Sequence, residues 1–434
     1  MQLPIPLPRR LSPSLNQAEQ CTHCGYCLPQ CPTYRVENNE SQSPRGRISI
    51  ILALQAGYLE PQQASELLSH CLLCRACHSA CPVGVRPGKL VGLARSLIPM
   101  TATPWWVDLF HIVTNSDRLT NLLARGLTWY VRYGQQRMRR HRLLRWWPTL
   151  ARLEALIPDW RGPDPIGKSY SPAAAHKGRV ALLGGCMARL FLPQIGLFAR
   201  ELLQRTGFDV VVLAGFGCCG APFREHGDRP AFLRQARRLL DSFAVLGEVD
   251  HIVCDSSICV TTGRSYGRAM EKEERYATLA QQFSSKVADF SEFMAGQTDH
   301  GPWQGQNPGL GRLTWHDHCQ ILHGYGLSQP GRQLLRSLAT PLHELPRSDR
   351  CCGAGGDYML RFPQRSDAVR SDKLQAIADS GADTVVGLNP GCLMNLTAGL
   401  RQQGSPIRVR HLVEVLGCAA RQQQDGEAGF NSVN

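Results

Sequence analysis

CTHCGYCLPQCP at residues 21–32 and CLLCRACHSACP at residues 71–82 are one pattern written twice. Cys21, Cys24, Cys27, Cys31 and Pro32 recur fifty residues on as Cys71, Cys74, Cys77, Cys81 and Pro82. Each iron of a [4Fe–4S] cube takes one soft, deprotonated sulfur. In runs of this spacing three cysteines wrap one cluster, and the remote fourth ligates its neighbour. On that rule Cys21, Cys24, Cys27 and Cys81 hold one cluster, and Cys31, Cys71, Cys74 and Cys77 hold the other. Zinc remains the alternative, although zinc sites pair two CxxC units without a fourth cysteine followed by proline. A disulfide framework belongs to short secreted chains, whereas this one has 434 residues.

That length allows two or three domains, and 43% hydrophobic residues against 19% charged is enough to bury substantial cores. Eighteen cysteines, sixteen of them in ordered sets, point to a reducing cytoplasm where thiolates stay available to metal. The first residues, MQLPIPLPRRLSPS, have prolines interrupting every apolar pair and read as a flexible lead-in, not a signal peptide. No run reaches the roughly 18 uninterrupted apolar residues of a membrane span. The best stretch, Trp105 to Val131, is broken by Asp108, Asp117, Arg118 and Arg125.

The net charge of +13 is concentrated between 118 and 161, where ten arginines from Arg118 to Arg161 interleave with Trp129, Tyr130, Tyr133, Trp146 and Trp147. Two readings stand level. One is a membrane or protein interface, the other a helical linker whose aromatics pack on a neighbouring domain. Nucleic-acid binding is not expected, because no recognition module accompanies the charge.

Between the quartets, Arg47 to Leu68 reads as helical, with Ile48, Ile51, Leu52, Leu67 and Leu68 as anchors and a break near Gly57 to Pro61. Amphipathic helices continue from Pro87 to about Leu156, and Pro158 to Pro172 form a Pro/Gly-rich linker. Beyond it lies a second repeat: Cys186, Cys218, Cys219, Gly220 and Cys259 recur 133 residues later as Cys319, Cys351, Cys352, Gly353 and Cys392. Runs at Arg179–Leu183, Asp209–Leu213, His251–Val253, Arg312–Trp315 and Thr384–Leu388 read as strands, with a helix over Leu190–Arg205.

Strands alternating with helices predict α/β lobes whose loop cysteines gather at the carboxyl ends of the strands. The expected class is therefore α plus α/β. A helical two-cluster domain occupies residues 1–100, a basic, aromatic-rich helical linker 101–176, and two duplicated lobes 177–305 and 308–420. Cys186, Cys218, Cys219 and Cys259 form one further candidate metal site, and Cys319, Cys351, Cys352 and Cys392 another. The alternative is small thiols packed in a core. Cys254 and Cys418 have no repeat partner and read as ordinary buried residues.

With both repeats in view the chain resembles the iron–sulfur subunit of bacterial glycolate oxidase, a glycolate dehydrogenase. The resemblance rests on CTHCGYCLPQCPTY at 21–34, SPRGRI at 43–48, CLLCRACHSACPVGV at 71–85, GCCGAP at 217–222, DRCCGAGG at 349–356 and NPGC at 389–392. The same motifs are shared with lactate-utilisation, anaerobic glycerol-3-phosphate dehydrogenase and heterodisulfide reductase relatives. Where heterodisulfide reductase ends each lobe in CxxC, this chain has Ser256 before Cys259 and Asn389 before Cys392. That leaves each lobe one thiolate short and leaves zinc, an ordinary cluster or a vestigial site open.

The resemblance implies an electron-transfer subunit carrying two [4Fe–4S] clusters, with a further cluster or zinc in a Cys-Cys-Gly lobe. It binds no flavin and has no catalytic residue of its own. A separate flavin-containing subunit oxidises glycolate, and electrons leave toward a quinone or membrane acceptor. The location implied is cytoplasmic, peripheral on the inner face of the membrane. The alternatives are the same relay for lactate or glycerol 3-phosphate, or a non-enzymatic metal-binding scaffold.

Other motifs carry less. Gly215, Gly217 and Gly220 spell GxGxxG, but the run encloses Cys218 and Cys219 and the second lobe loses it. Gly263, Ser265 and Gly267 spell GxSxG in a helical stretch, not at a strand-to-helix elbow. His23 and His78 lie inside cluster loops whose cysteines already fill the iron positions. His316 and His318 flank Cys319 and suit zinc, and alternation at a strand end explains them equally.

Overall fold

A computed structural model describes residues 13–98, 105–140, 148–158, 169–170, 177–297 and 301–431. The N-terminal lead-in, most of the Pro/Gly linker, and Arg142, Arg145, Trp146, Trp147 and Arg161 of the basic segment lie outside the described residues.

Prolines punctuate the first domain. The helices Pro32–Glu37, Pro44–Gln55, Pro61–Ser69 and Pro87–Arg95 each begin on proline, where the missing N–H is an orphan in any case and φ is preset. Ser43 caps the second of these by accepting from the amide of Gly46 at 2.9 Å. The chain breaks between Gln55 and Pro61, as the Gly57 to Pro61 signal predicts. Ile48, Ile51 and Leu68 are fully buried beside Leu15, Leu54 and Leu90, while Leu52 and Leu67 pack at the margin.

Helices Trp105–Thr114, Asp117–Trp129, Gln135–Arg140 and Pro148–Ala155 then lead to the lobes. The first lobe is a five-stranded sheet of β1 (Ser169–Tyr170), β2 (Gly178–Leu183), β3 (Phe208–Val212), β4 (His251–Cys254) and β5 (Val287–Asp289). Its order is β1-β3-β2-β4-β5, parallel except for the β1 edge. The second sheet, β6 (Leu313–Trp315), β7 (Leu342–His343), β8 (Thr384–Gly387) and β9 (Arg408–His411), is parallel throughout in the order β7-β6-β8-β9. The central strands β2, β4 and β8 are largely buried apolar runs, the pattern of parallel strands covered on both faces, whereas the edge strand β9 is Arg-Val-Arg-His.

The expected helix over 190–205 is two helices, Cys186–Phe191 and Gln194–Arg205. Pro193 lacks the N–H that a continuous helix needs there, so the chain stops at Leu192 and restarts. The lobes are not independent. The final helix, Leu412–Asn431, packs on Gln194–Arg205, and one hydrophobic core runs through Val180, Leu202, Trp315, Val385 and Leu416.

Candidate metal centres

The eight N-terminal cysteines divide between two open cavities of about 360 Å³ each, their mouths included. Cys21, Cys24, Cys27 and Cys81 line one, together with Arg45; Cys31, Cys71, Cys74 and Cys77 line the other, together with Arg47. In both loops the residues flanking the second cysteine are left-handed: His23 (φ 53°) and Gly25 (φ 87°) around Cys24, Leu73 (φ 49°) and Arg75 (φ 64°) around Cys74. A non-glycine residue in this region costs about 1–3 kcal/mol and persists where its surroundings over-determine it. The curl bends each loop around its own cavity, so the donor set and the cradle both fit an iron–sulfur cube.

Burial pushes the Cys27 thiol up to about 11 and those of Cys74 and Cys77 well above the ordinary range. Without a metal these sulfurs are neutral thiols; a bound cation inverts that preference. Arg47 reaches the second cavity from the SPRGRI helix. Its guanidinium is buried and donates to Cys31 Sγ at 3.6 Å, Thr33 Oγ1 at 2.9 Å and Gln42 Oε1 at 3.0 Å. Burial opposes its charge, and Cys71 and Cys31 outweigh that opposition. Arg95, equally buried, donates to the carbonyls of Leu68 and Cys71 at 2.6 and 2.7 Å and to that of Glu225 at 2.8 Å. It thereby ties the cysteine loop to the first lobe. Neither arginine is marked by cysteine spacing, although Arg47 sits in a quoted family motif.

The first domain docks on the second lobe through the ion pairs Arg35–Asp372 and Glu37–Arg365, and Gln320 donates to the Leu73 carbonyl at 3.2 Å. Cys74, Cys319 and Cys351 consequently line one shared crevice. The basic segment is partly absorbed in the same way. Arg152 holds Asp367 through two bonds of 2.7 and 3.0 Å, and Arg139 pairs with Glu154 at 2.8 Å. By contrast Trp105, Ile112, Leu122 and Trp129 stay exposed, as do Arg118, Arg125 and Arg132.

All eight Cys-Cys-Gly cysteines face a single cavity of about 2280 Å³, its open mouth included, instead of two separate crevices. Leu109, Val113, Leu123 and Leu127 of the helical segment close its other side. Within each lobe the vicinal pair splits. In the first, Cys218 faces Cys186 at 3.9 Å and Cys219 faces Cys259 at 3.2 Å. Gly220 (φ 83°) and Gly353 (φ 78°) permit the turn, and their amides donate to Cys218 and Cys351 at 3.4 Å.

Cys254 is fully buried, as expected, and its sulfur donates to the Ser256 carbonyl at 3.5 Å. Cys418 is only half-buried. In the second lobe Asn389, where the missing cysteine would stand, donates its amide to Cys392 Sγ at 3.3 Å. Ring and thiol donors of His316, Cys352 and Cys392 all lie within 4.8 Å of one another, all buried. His318 is excluded from that group: Nε2 accepts from the Leu388 amide at 2.7 Å, and Nδ1 bonds Ser257 Oγ at 3.0 Å. Ser265 donates to the Thr262 carbonyl at 2.6 Å between two short helices, so the GxSxG run forms no nucleophile elbow.

Residues 17–85 match the 4Fe-4S dicluster domain, and residues 180–262 and 313–397 each match the cysteine-rich domain. A Bacillus subtilis protein described as "Probable glycolate oxidase iron-sulfur subunit" is 31% identical, over 91% of this chain and 92% of its own length. The Escherichia coli glycolate oxidase iron-sulfur subunit is 27% identical over the same shares. Lactate utilization protein A of Halalkalibacterium halodurans is 28% identical, over 57% of this chain and 100% of its own length. A hypothetical protein from Helicobacter pylori shares the fold, with a TM-score of 0.54 at 10% identity over 94% of this chain and 73% of its own. With its dicluster cysteines in two cradles and its duplicated cysteine-rich lobes, the chain belongs to the family of glycolate oxidase iron–sulfur subunits.

Proposed function

We propose that this chain is the electron relay of a complex in which a flavin-containing partner oxidises glycolate to glyoxylate, and that it delivers the electrons to a membrane quinone. Cys21, Cys24, Cys27 and Cys81 hold one [4Fe–4S] cluster; Cys31, Cys71, Cys74 and Cys77 hold the second. Bound clusters supply one-electron transfer, which lets a two-electron hydroxy-acid oxidation leave the flavin in single steps. The observation that carries this reading is the placement of Cys74 in one crevice with Cys319 and Cys351, at the edge of the apolar cavity. The second cluster thereby stands next to a space chemically suited to a quinone ring and tail.

The chain's own residues set the conditions. Arg47 and Arg95 place two buried positive charges around the second cluster, which favours its reduced form. The exposed Trp105, Ile112, Leu122 and Trp129, with Arg118, Arg125 and Arg132, make a face suited to the inner surface of the cell membrane. Helices from this segment also wall the cavity, so the acceptor would enter from the lipid side.

Deleting this chain from its host should abolish glycolate-dependent quinone reduction in membranes while artificial-dye reduction by the flavin subunit persists. Undiminished quinone reduction would sink the reading. Lactate is the second candidate substrate, because lactate utilization protein A relatives align over their whole length. Growth of the deletion strain on glycolate and on lactate separates the two.

A further inference from the structure

The geometry points to a zinc site in the second lobe, with His316, Cys352 and Cys392 as ligands. His316 is only 1% exposed, and neither ring nitrogen has a hydrogen-bond partner. Burying an imidazole with both nitrogens idle is unfavourable unless something else engages one of them. Its nearest ligand-type neighbours are the Cys352 and Cys392 sulfurs, all within 4.8 Å. One imidazole and two thiolates are a borderline-soft N/S set that suits zinc, whereas iron–sulfur cubes are held by thiolates.

The supporting contacts act on the ligands one by one. Asn389 donates to Cys392 Sγ at 3.3 Å, and Asn395 donates at 2.8 Å to the carbonyl of Cys352. Lys373, fully buried, is bonded to the carbonyls of Arg347 and Ser348. Cys352 and Cys392 both line the cavity that Cys351 also lines.

Register explains why this donor escapes a cysteine count. In the first lobe Leu183 at the end of β2 pairs with Cys254 at the end of β4. In the second lobe Trp315 pairs with Val386, so one step on His316 stands beside Gly387. His316 corresponds to Leu183 at the 133-residue offset, and Gly387 to Cys254. The same rung of the sheet thus carries a thiol on β4 in the first lobe and an imidazole just beyond β6 in the second, and among the described residues only the second joins its cysteine pair in a ligand group. In the second lobe His316 stands in for the missing CxxC thiolate.

The test is metal analysis and zinc X-ray absorption on the full chain purified without oxygen. The wild type should carry about one zinc per chain in a shell of nitrogen and sulfur, beside about eight cluster irons. His316→Leu, the first lobe's residue, should drop zinc to below about a tenth per chain with cluster absorbance unchanged. His316→Cys should keep zinc and exchange its nitrogen for sulfur. A wild type without zinc overturns the proposal, as does zinc retained with an unaltered shell in either variant. If His316→Leu fails to fold, seen as lost cluster absorbance, the His316→Cys shell alone decides. Iron and sulfide content report separately on the relay, so the two readings fail independently.

Discussion

The two lobes descend from one pattern, yet they solve the same structural problem with different chemistry. What they share is scaffolding. Gly178 and Gly311 have positive φ, and the amides of the following Arg179 and Arg312 donate at 2.8 Å to Asp250 and Asp383, all at the repeat offset. What differs lies at the strand ends. The first lobe packs Leu183, Gly184 and Ala199 where the second has His316, Asp317 and Arg332. Ala199 is buried in the apolar core, whereas Arg332 grips Asp317 through two bonds of 2.7 Å, with both side chains under a tenth exposed. The repeat therefore holds the backbone fixed, and polarity is free to change around the cysteine-bearing turn.

The sharpest break in that comparison is at the ion pair. Arg332→Ala leaves the Asp317 carboxylate buried without its charged partner, with neutral donors such as the Trp315 indole N–H at 2.9 Å in its place. Removing one partner of a buried pair costs about 3–5 kcal/mol. Calorimetry of the full chain should show that loss. The double variant Asp317→Gly with Arg332→Ala, which installs the first lobe's residues, should recover part of it because no charge is then left unpaired. A single variant as stable as the wild type would mean that the lobes differ here in sequence only.

Cysteine offsets of 50 and 133, proline-started helices and alternating strands made the architecture and the two quartets readable from the chain alone, because ligand spacing and periodicity are local properties. The remainder depended on contacts that no local pattern carries. Arg47 is an ordinary helix residue until the fold brings its guanidinium to Cys31. Cys254 lacks a repeat partner in sequence, and only the β2–β4 register sets it opposite Leu183. Two crevices became one cavity because the lobes share a core, which neither repeat signals by itself. Pro193 was legible, however: its missing N–H marks the break between the two helices.

The shared scaffolding yields a matched pair of smaller effects. A Cβ on Gly178 would stand 2.5 Å from Asp250 Oδ2, and one on Gly311 2.6 Å from Asp383 Oδ2, each on a left-handed backbone. Gly178→Ala and Gly311→Ala should each cost about 1–2 kcal/mol, and by similar amounts. Unequal losses, read from urea midpoints, would show that the two turns have diverged along with the strand ends.

The smallest effect tests how the unlike lobes are joined. The Leu388 amide donates to His318 Nε2, so the proton of that ring lies on Nδ1 and is donated to Ser257 Oγ across the lobe boundary. Ser257 in turn donates to Asp289 Oδ2 at 3.0 Å. All of these groups are buried. Ser257→Ala removes the neutral hydroxyl that joins His318 to Asp289. Asp289 keeps its two bonds from Ser291, at 3.0 Å to the amide and 2.6 Å to the hydroxyl, so the penalty is confined to one orphaned imidazole N–H. A loss of about 1–2 kcal/mol is expected. Ser257→Thr, which keeps the hydroxyl, should recover most of it if the added methyl is accommodated. An alanine variant indistinguishable from the wild type would show that this polar bridge contributes alignment and not stability.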